Sequence, residues 1–509
     1  MDTKALRQKI LDLAIRGKLV PQNPNDEPAS VLLEKIREQK QQMFKEGKLK
    51  KKDIKNDSII FKGEDNLHYE KFQDGTMKCI KDEIPFEVPE GWSWCRLPSI
   101  TIDIFAGGDK PDSYEKNPTE ICNIPIYSNG IDNNGLYGFT NKPRVIEPSI
   151  TISARGTIGF CCIRETPFVP IVRLITITPS REFELSYLKT VFEALIETGE
   201  GSSIPQLTVP GIKPKLIPVP PVNEQTRIQN KLHEILNSIA VISREKEELR
   251  KLLQTIQSKI LDLAIRGKLV PQNPDDEPAS VLLERIRVEK EELIKQGKIK
   301  RDKKESVIFK GEDNSYYEKL PDGKVNCIDE QLPFELPDGW KWCNLSMVGT
   351  TNIGLTYRPA DIDTQGIIVL RSCNIVKDEI NLTDLVRVKT SIRENQFVQK
   401  DDILICARNG SRSLVGKCTL IPEFDEKVSF GAFMAVYRTP YFNYIVHFLR
   451  SNFFRSVFDD SNSTAINQLT QDMLKRAVIP LPPLAEQLRI VDKITELFER
   501  LNCIEESLI

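Results

Sequence analysis

Histidine is nearly missing, at three residues in 509, and no two of the eleven cysteines form a C-x-x-C pair. That removes the usual ligand spacings of a zinc site and leaves the thiols to be read as reduced and cytosolic. Net charge is nearly missing too: 71 lysines and arginines against 73 aspartates and glutamates give −2. No global positive field advertises nucleic acid, so any DNA binding must come from a local surface or from partner subunits. No apolar run approaches membrane-spanning length, and the opening MDTKALRQKILDLAIRG is an amphipathic helix without a signal-peptide core. A soluble cytoplasmic protein with no membrane partner is expected.

What is present is periodicity. Apolar residues recur at Ile228, Leu232, Ile235, Ile239 and Ile242, then at Leu249, Leu253, Ile256, Ile260 and Leu263. The spacing alternates four and three with one lapse at Lys246, the seam of a coiled coil. Pro220 and Pro221 precede it, and Gly267 with Pro271 closes it. A seam of that length needs a partner helix.

Internal repeats decide the organisation. ILDLAIRGKLVPQNPNDEPASVLL at 10–33 returns almost unchanged at 260–283, and IPFEVPEGWSWC at 84–95 returns as LPFELPDGWKWC at 332–343. Asp26, Glu27 and Pro28 read as an acidic helix start, Gly47 as its stop, and Asp74–Gly75 as a hairpin turn; Asp276, Glu277, Pro278, Gly297 and Asp322–Gly323 repeat these signals. A second repeat is out of phase with the first: IPVPPVNEQTRI at 217–228 reappears as IPLPPLAEQLRI at 479–490, followed by the seam again at Ile490, Ile494, Leu497, Leu501, Ile504 and Leu508. Leu6, Ile10 and Leu13 match Ile256, Ile260 and Leu263, so the C-terminal helix followed by the N-terminal helix rebuilds the central one.

The expected fold is mixed α+β: two α/β domains separated by two long antiparallel coiled-coil arms in a cyclic, pseudo-two-fold arrangement. The segments are 1–16, the N-terminal half of the split arm; 17–97 and 267–345, the constant blocks; 98–216 and 346–478, the variable domains; 217–266, the central arm; and 479–509, the C-terminal helix. The variable segments differ at most positions. Ala154-Arg155-Gly156 still matches Ala407-Arg408-Asn409-Gly410, and Gln206-Leu207-Thr208 matches Gln468-Leu469-Thr470, suggesting a shared fold. Helices are expected at 184–195 and 441–454.

Two unlike readers on a constant helical ruler suit duplex DNA, where helical phase makes separation informative. LDLAIRGKLVPQNP, PEGWSWCRL, IPLPPLAEQLRIV and the cyclic two-block layout resemble the specificity subunit of a type I restriction-modification enzyme over nearly the whole chain. The resemblance implies that each variable segment is a target recognition domain reading half of a bipartite, asymmetric site. It implies arms that set the spacer and dock two modification subunits, adenine methyltransferases using S-adenosylmethionine. It further implies two restriction subunits using ATP and Mg²⁺, and no cofactor, metal or catalytic centre in this chain. Accordingly, no [DN]-P-P-[FYW] tetrad occurs, and the Pro-Pro pairs sit only in VPPV and LPPL. GSRSLVGKC at 410–418 has the wrong glycine spacing for a phosphate loop, with Cys418 where a hydroxyl would meet magnesium. A stand-alone DNA-modifying enzyme with a divergent site and a purely structural coiled-coil scaffold are the rival readings.

For DNA contacts, Arg155, Gly156 and Thr157, with Arg408, Asn409, Gly410, Ser411, Arg412 and Lys417, are the first candidates. Small polar loops admit phosphates to backbone amides, and arginine holds a phosphate or a guanine edge. A tight turn between core strands is the plainer alternative. Because Arg155 and Arg408 recur in both domains, phosphate anchoring suits them better than base reading. Unshared polar residues are candidates for specificity: Ser128, Asn129 and Asn133 in SNGIDNNG, and Arg371, Ser372 and Asn374 in RSCN. Ser202, Ser203 and Gln206, with Ser463, Thr464, Asn467 and Gln468, are read as helix N-caps or, more sharply, as a phosphate clamp. Trp92, Trp94, Trp340 and Trp342 are read as packing residues, and the lysine run from Lys48 as a solvated loop. The first variable segment has 11 basic and 13 acidic residues and the second 16 and 14, so weak DNA binding is expected without the modification subunits.

Overall fold

Pro220 and Pro221 forbid a helix before them, and the one that follows runs uninterrupted from Val222 to Ile265, 44 residues and about 65 Å long. It ends at a glycine C-cap: Gly267 takes φ +65°, and the Lys268 N–H reaches back to the Leu263 carbonyl at 2.8 Å. The computed structural model describes residues 2–196, 199–200, 206–297, 299, 301, 305–459 and 468–508. Two compact units emerge, Met1–Lys246 and Glu247–Ile509, and their division falls inside the long helix at the lapse in its seam. No described helix is long and apolar enough to cross a membrane.

In the first unit the seam residues Ile228, Leu232 and Ile239 are buried, and the N-terminal helix Thr3–Ile15 supplies Leu11 and Ile15 to the same core. This helix runs antiparallel to the first half of the long one. At one end Gln22 Nε2 donates to Glu224 Oε1 at 2.7 Å, and at the other the Lys246 charge acts on the N-capping carboxyl of Asp2. In the second unit Leu253 and Ile260 are buried, and Ile490 and Ile494 of the C-terminal helix Leu484–Ser507 share a core with Ile260.

The repeated motifs build the same buried clip twice. Glu224, 1% exposed, accepts from Trp92 Nε1 at 3.0 Å and from Gln22, which also donates to the Gly17 carbonyl at 3.0 Å. Arg227 pairs with Asp26 at 2.6 Å. In the second unit Glu486 accepts from Trp340 at 2.9 Å and from Gln272 at 3.1 Å, and Arg489 pairs with Asp276 at 2.6 Å. Burial pushes the Glu224 and Glu486 carboxyls up in pKa, and these hydrogen bonds oppose the shift. Gly17, at φ +65°, is required here, because a Cβ would collide with the Pro89 ring; Gly267 meets Pro337 in the same way. Glu224→Ala strands the buried Trp92 N–H without an acceptor, a loss on the order of 2 kcal/mol. The first thermal transition of the full chain is expected to fall for this variant and to fall less for Glu224→Gln. An unchanged midpoint for Glu224→Ala would contradict the clip.

Some expected boundaries move. Asp26 does not start a helix, because it is taken by Arg227; Pro28 occupies the N-cap and the helix runs Ala29–Lys45. The expected hairpin is a three-stranded meander, Ser58–Lys62, His68–Phe72 and Met77–Cys79, repeated at Val307–Lys310, Tyr316–Lys319 and Val325–Cys327. The 441–454 helix breaks at Ser451, which is extended and caps a new helix by accepting from the Phe454 N–H at 3.2 Å. All four tryptophans are buried, as expected of packing residues.

The variable segments share one topology despite their unlike sequences. In the first, a four-stranded sheet runs Cys161–Arg164, Ser149–Ile152, Ile175–Pro179, Thr101–Ala106. In the second the order is Cys418–Leu420, Ile403–Cys406, Met434–Arg438, Thr350–Ile353. A smaller sheet holds one parallel pair in each, Val169–Pro170 with Ile124–Tyr127 and Val428–Phe430 with Ile362–Leu370. The remaining pairs are antiparallel, so helices and strands are segregated rather than alternating. Each segment starts and finishes on a two-stranded ribbon, Ser93–Arg96 with Leu216–Val219 and Lys341–Asn344 with Val478–Leu481. Tyr187 and Tyr444, from the helices Leu185–Leu195 and Phe442–Arg450, donate to the ribbon carbonyls of Pro218 and Pro480 at 2.9 and 2.8 Å.

Candidate nucleic-acid interface

The loops that leave the strand ends of the first variable segment are tied to one another. The turn after Pro170 is held by Val172 and Arg173 N–H groups donating to the Gly108 and Gly107 carbonyls at 2.8 and 3.0 Å. Asn129 is the hub: its Nδ2 donates to the Val172 carbonyl and its Oδ1 accepts from the Ala154 N–H, both at 2.7 Å. The Gly130 N–H meets Ser153 Oγ at 3.4 Å. Arg155 is exposed and donates to Gln206 Oε1 at 3.1 Å, while the Leu207 N–H donates to the Ala154 carbonyl. The two short motifs shared by the variable segments are therefore neighbours in space.

The second segment repeats the plan with a tighter turn. The Ala407 and Arg408 N–H groups both donate to the Phe433 carbonyl, at 2.9 and 3.0 Å, and the Arg408 guanidinium lies 5.4 Å from the Phe433 ring centre. Gln468 bridges Arg408 through the backbone, and the Leu469 N–H donates to Ala407 at 2.7 Å. Asn409 Nδ2 donates to Ser372 Oγ at 3.2 Å.

Against this geometry the candidates separate. Asn133 (φ +46°), Arg155, Gly156 (φ +71°), Gln206, Arg408, Gly410, Ser411 and Arg412 are exposed on these loops. Gly156 and Gly410 have open space where a Cβ would stand. Ser128 and Thr157 are partly covered, with Thr157 Oγ1 enclosed and unpartnered among the described residues. Three residues face inward instead. Asn129 spends both ends of its amide joining loops. Asn374, 1% exposed, accepts from the Arg371 N–H at 2.8 Å and donates to the Asn381 and Asp384 carbonyls at 2.9 Å. Lys417 donates its ammonium to the Ile375 carbonyl. Arg371 is half-committed, paired with Asp384 at 2.8 Å. The helix N-caps are Thr208 and Thr470, which accept from Gly211 and Met473 at 3.2 and 3.1 Å, rather than Gln206 and Gln468 before them. Ser202, Ser203, Ser463, Thr464 and Asn467 lie outside the described residues.

Sequence reasoning missed the turn tips Val172–Arg173 and Ala432–Phe433. Each lies inside an apolar run, FVPIVRLITI and VSFGAFMAVY, that reads as one strand. The positive φ of Val172 and Arg173, +51° and +60°, is visible only in the folded chain. Burial pushes the Cys95, Cys161 and Cys343 thiols up in pKa, which makes them poor nucleophiles.

The family profile for the type I restriction modification DNA specificity domain matches residues 89–251 and 340–509. The chain is 28% identical to the type I restriction enzyme EcoAI specificity subunit of Escherichia coli, over 98% of this chain and 89% of that one. It is 26% identical to the EcoEI specificity subunit of the same organism, over 97% and 89%. A solved structure from work on complex assembly and conformational transition of the type I R-M system is similar at a TM-score of 0.51 and 17% identity, covering 83% of this chain and 94% of that one. That last likeness is one of fold. Each profile match takes in one variable segment together with the tryptophan and glutamate of one clip, Trp92 with Glu224 and Trp340 with Glu486, and on these grounds the chain belongs to the family of type I restriction-modification specificity subunits.

Proposed function

We propose that the two recognition segments each read one half of a bipartite, asymmetric DNA site, with 98–216 and 346–478 as the two target recognition domains. The observation that carries this reading is the pair of recognition segments with one topology and different loop residues, each mounted on the same duplicated ribbon and clip. Two copies of one platform with two different tips suit two different half-sites.

The long helix then acts as a spacer. Its mate is a second, split arm formed by the C-terminal helix followed by the N-terminal one, in a pseudo-two-fold, coiled-coil arrangement. Support comes from inside each unit, where the Glu224 and Glu486 clips fasten equivalent helix starts to equivalent constant blocks. Two modification subunits, adenine methyltransferases carrying S-adenosylmethionine, dock on the arms. Two restriction subunits bring ATP and Mg²⁺ to the same complex, in the cytoplasm. The chain itself is a non-catalytic subunit.

Methyl transfer and binding to duplex DNA, measured for the chain alone and for its complex with methyltransferase subunits, test this directly. The complex is expected to bind and methylate only duplexes carrying one bipartite site, while the chain alone transfers no methyl group. Adenine methylation by the chain alone would overturn the non-catalytic reading. Equal binding of the complex to all sequences would overturn the recognition reading.

A further inference from the structure

The central strand of each recognition sheet, Ile175–Pro179 or Met434–Arg438, is reached through the same turn. Register makes the turn residues equivalent: Ile175 pairs with Ala106, and Ala435 pairs with Ile353, so Arg173 and Phe433 each stand two residues before a matched position. Both turns follow the parallel strand pair of the smaller sheet. Their backbones are fixed by the bonds described above, so each tip side chain is presented from a rigid support.

What the supports present is chemically opposite. Arg173 is exposed at φ +60°, and among the described residues its guanidinium has no hydrogen bond or ion pair. Phe433 is 60% exposed, and beside it opens a recess of about 570 Å³ whose apolar wall includes Leu355, Tyr357, Ile362 and Cys373. Arg371, which also lines the recess, is paired with Asp384. A lone exposed phenylalanine needs no explanation. One that borders an apolar recess, carries a guanidinium 5.4 Å from its ring and occupies the position of an unpaired arginine in the sister domain is a different matter.

In the major groove, guanine offers two acceptors that fit arginine, and thymine offers the C5-methyl group, to which apolar side chains bind. Resting on the reading that each domain recognises one half-site, we infer that the turn tip is a base-reading position in both: Arg173 contacts a guanine edge, and Phe433 with its recess contacts a thymine methyl. Arg408, stacked near Phe433, then holds the adjoining phosphate and keeps the ring against the groove.

The test uses the complex with its partner subunits and duplexes carrying its mapped site. Each thymine of the second half-site is replaced in turn by uracil, which lacks only the methyl group. At one thymine the wild-type complex is expected to lose affinity by roughly fourfold, the effect of one buried methyl group, Phe433→Ala to show no further loss there, and Phe433→Leu to keep part of the preference. In the other half-site, Arg173→Ala is expected to erase preference for one guanine, and 7-deazaguanine at that base to weaken the wild type but not the variant. Uracil tolerated at every thymine overturns the assignment of Phe433. Equal weakening of all duplexes by Phe433→Ala, with the preferred sequence unchanged, also overturns it and makes the ring a wedge between base pairs. A wild-type complex without any sequence preference would instead remove the underlying half-site reading.

Discussion

Exchanging residues 98–216 for the matching segment of another specificity subunit is expected to replace one half of the recognised sequence and leave the other half unchanged. The physical basis is where the segment joins the rest of the molecule. It leaves from Ser93–Arg96 and returns on Leu216–Val219, which pair with one another, and the Leu97 N–H closes the junction onto the Lys215 carbonyl at 3.1 Å. Both cut points therefore lie on or beside a ribbon that joins the first constant block to the start of the central arm. The buried bridge from Tyr187 to the Pro218 carbonyl recurs at Tyr444 and Pro480, so an incoming domain of the same topology can find the same acceptor. A half-site of several base pairs, each mismatch worth about 1–3 kcal/mol, predicts a loss on the order of a thousandfold or more for the old half-site. Methylation mapping of the hybrid reads both halves at once. A hybrid that alters both halves would show that the domains do not read independently.

A seven-residue insertion after Lys246 is expected to lengthen the preferred spacer by about three base pairs, since seven helical residues add about 10 Å and duplex DNA rises about 3.4 Å per base pair. Lys246 is the suitable place because the seam lapses there and the two units divide there. Seven residues return the seam nearly to phase, with a drift of about 20°. A four-residue insertion turns the apolar face further and is expected to give weaker binding. In the proposed arrangement the other arm is split at the chain termini, so the long helix can be extended without a matching insertion. Selection of preferred spacers from a library of duplexes with fixed half-sites measures the effect. A seven-residue variant that still prefers the wild-type spacer would contradict the ruler.

The framework of the molecule was legible because it is written twice. GKLVPQNP, the Gly-Trp pair and the Glu-Gln-x-x-Arg run look unrelated in one copy. Their joint recurrence marks them as parts of one device, the Glu224 and Glu486 clips. The long helix was legible from its seam and its bounding prolines and glycine, because those signals are local.

The site was less legible, since polarity does not tell which way a side chain faces. Asn129 and Asn374 have the composition of contact residues, yet their amides are consumed in joining loops, and Lys417 is consumed by a backbone carbonyl. Arg173 and Phe433 were hidden for the opposite reason. Their apolar neighbours read as continuous strand, and only the tertiary bonds to Gly107 and Ala407 reveal turns there. Gln206 and Gln468 were read as helix N-caps or as part of a phosphate clamp, and the structure rules out the first alternative alone. They support Arg155 and Arg408, and the capping falls to Thr208 and Thr470.

Genome-wide mapping of N6-methyladenine, in cells with and without the chain, tests the central claim most directly. The expected result is one motif that disappears with the chain: two short specified halves, each with a methylated adenine, separated by unspecified bases of fixed number. A motif that persists without the chain, or a chain-dependent motif that is continuous rather than bipartite, would contradict a two-domain reader on a helical spacer.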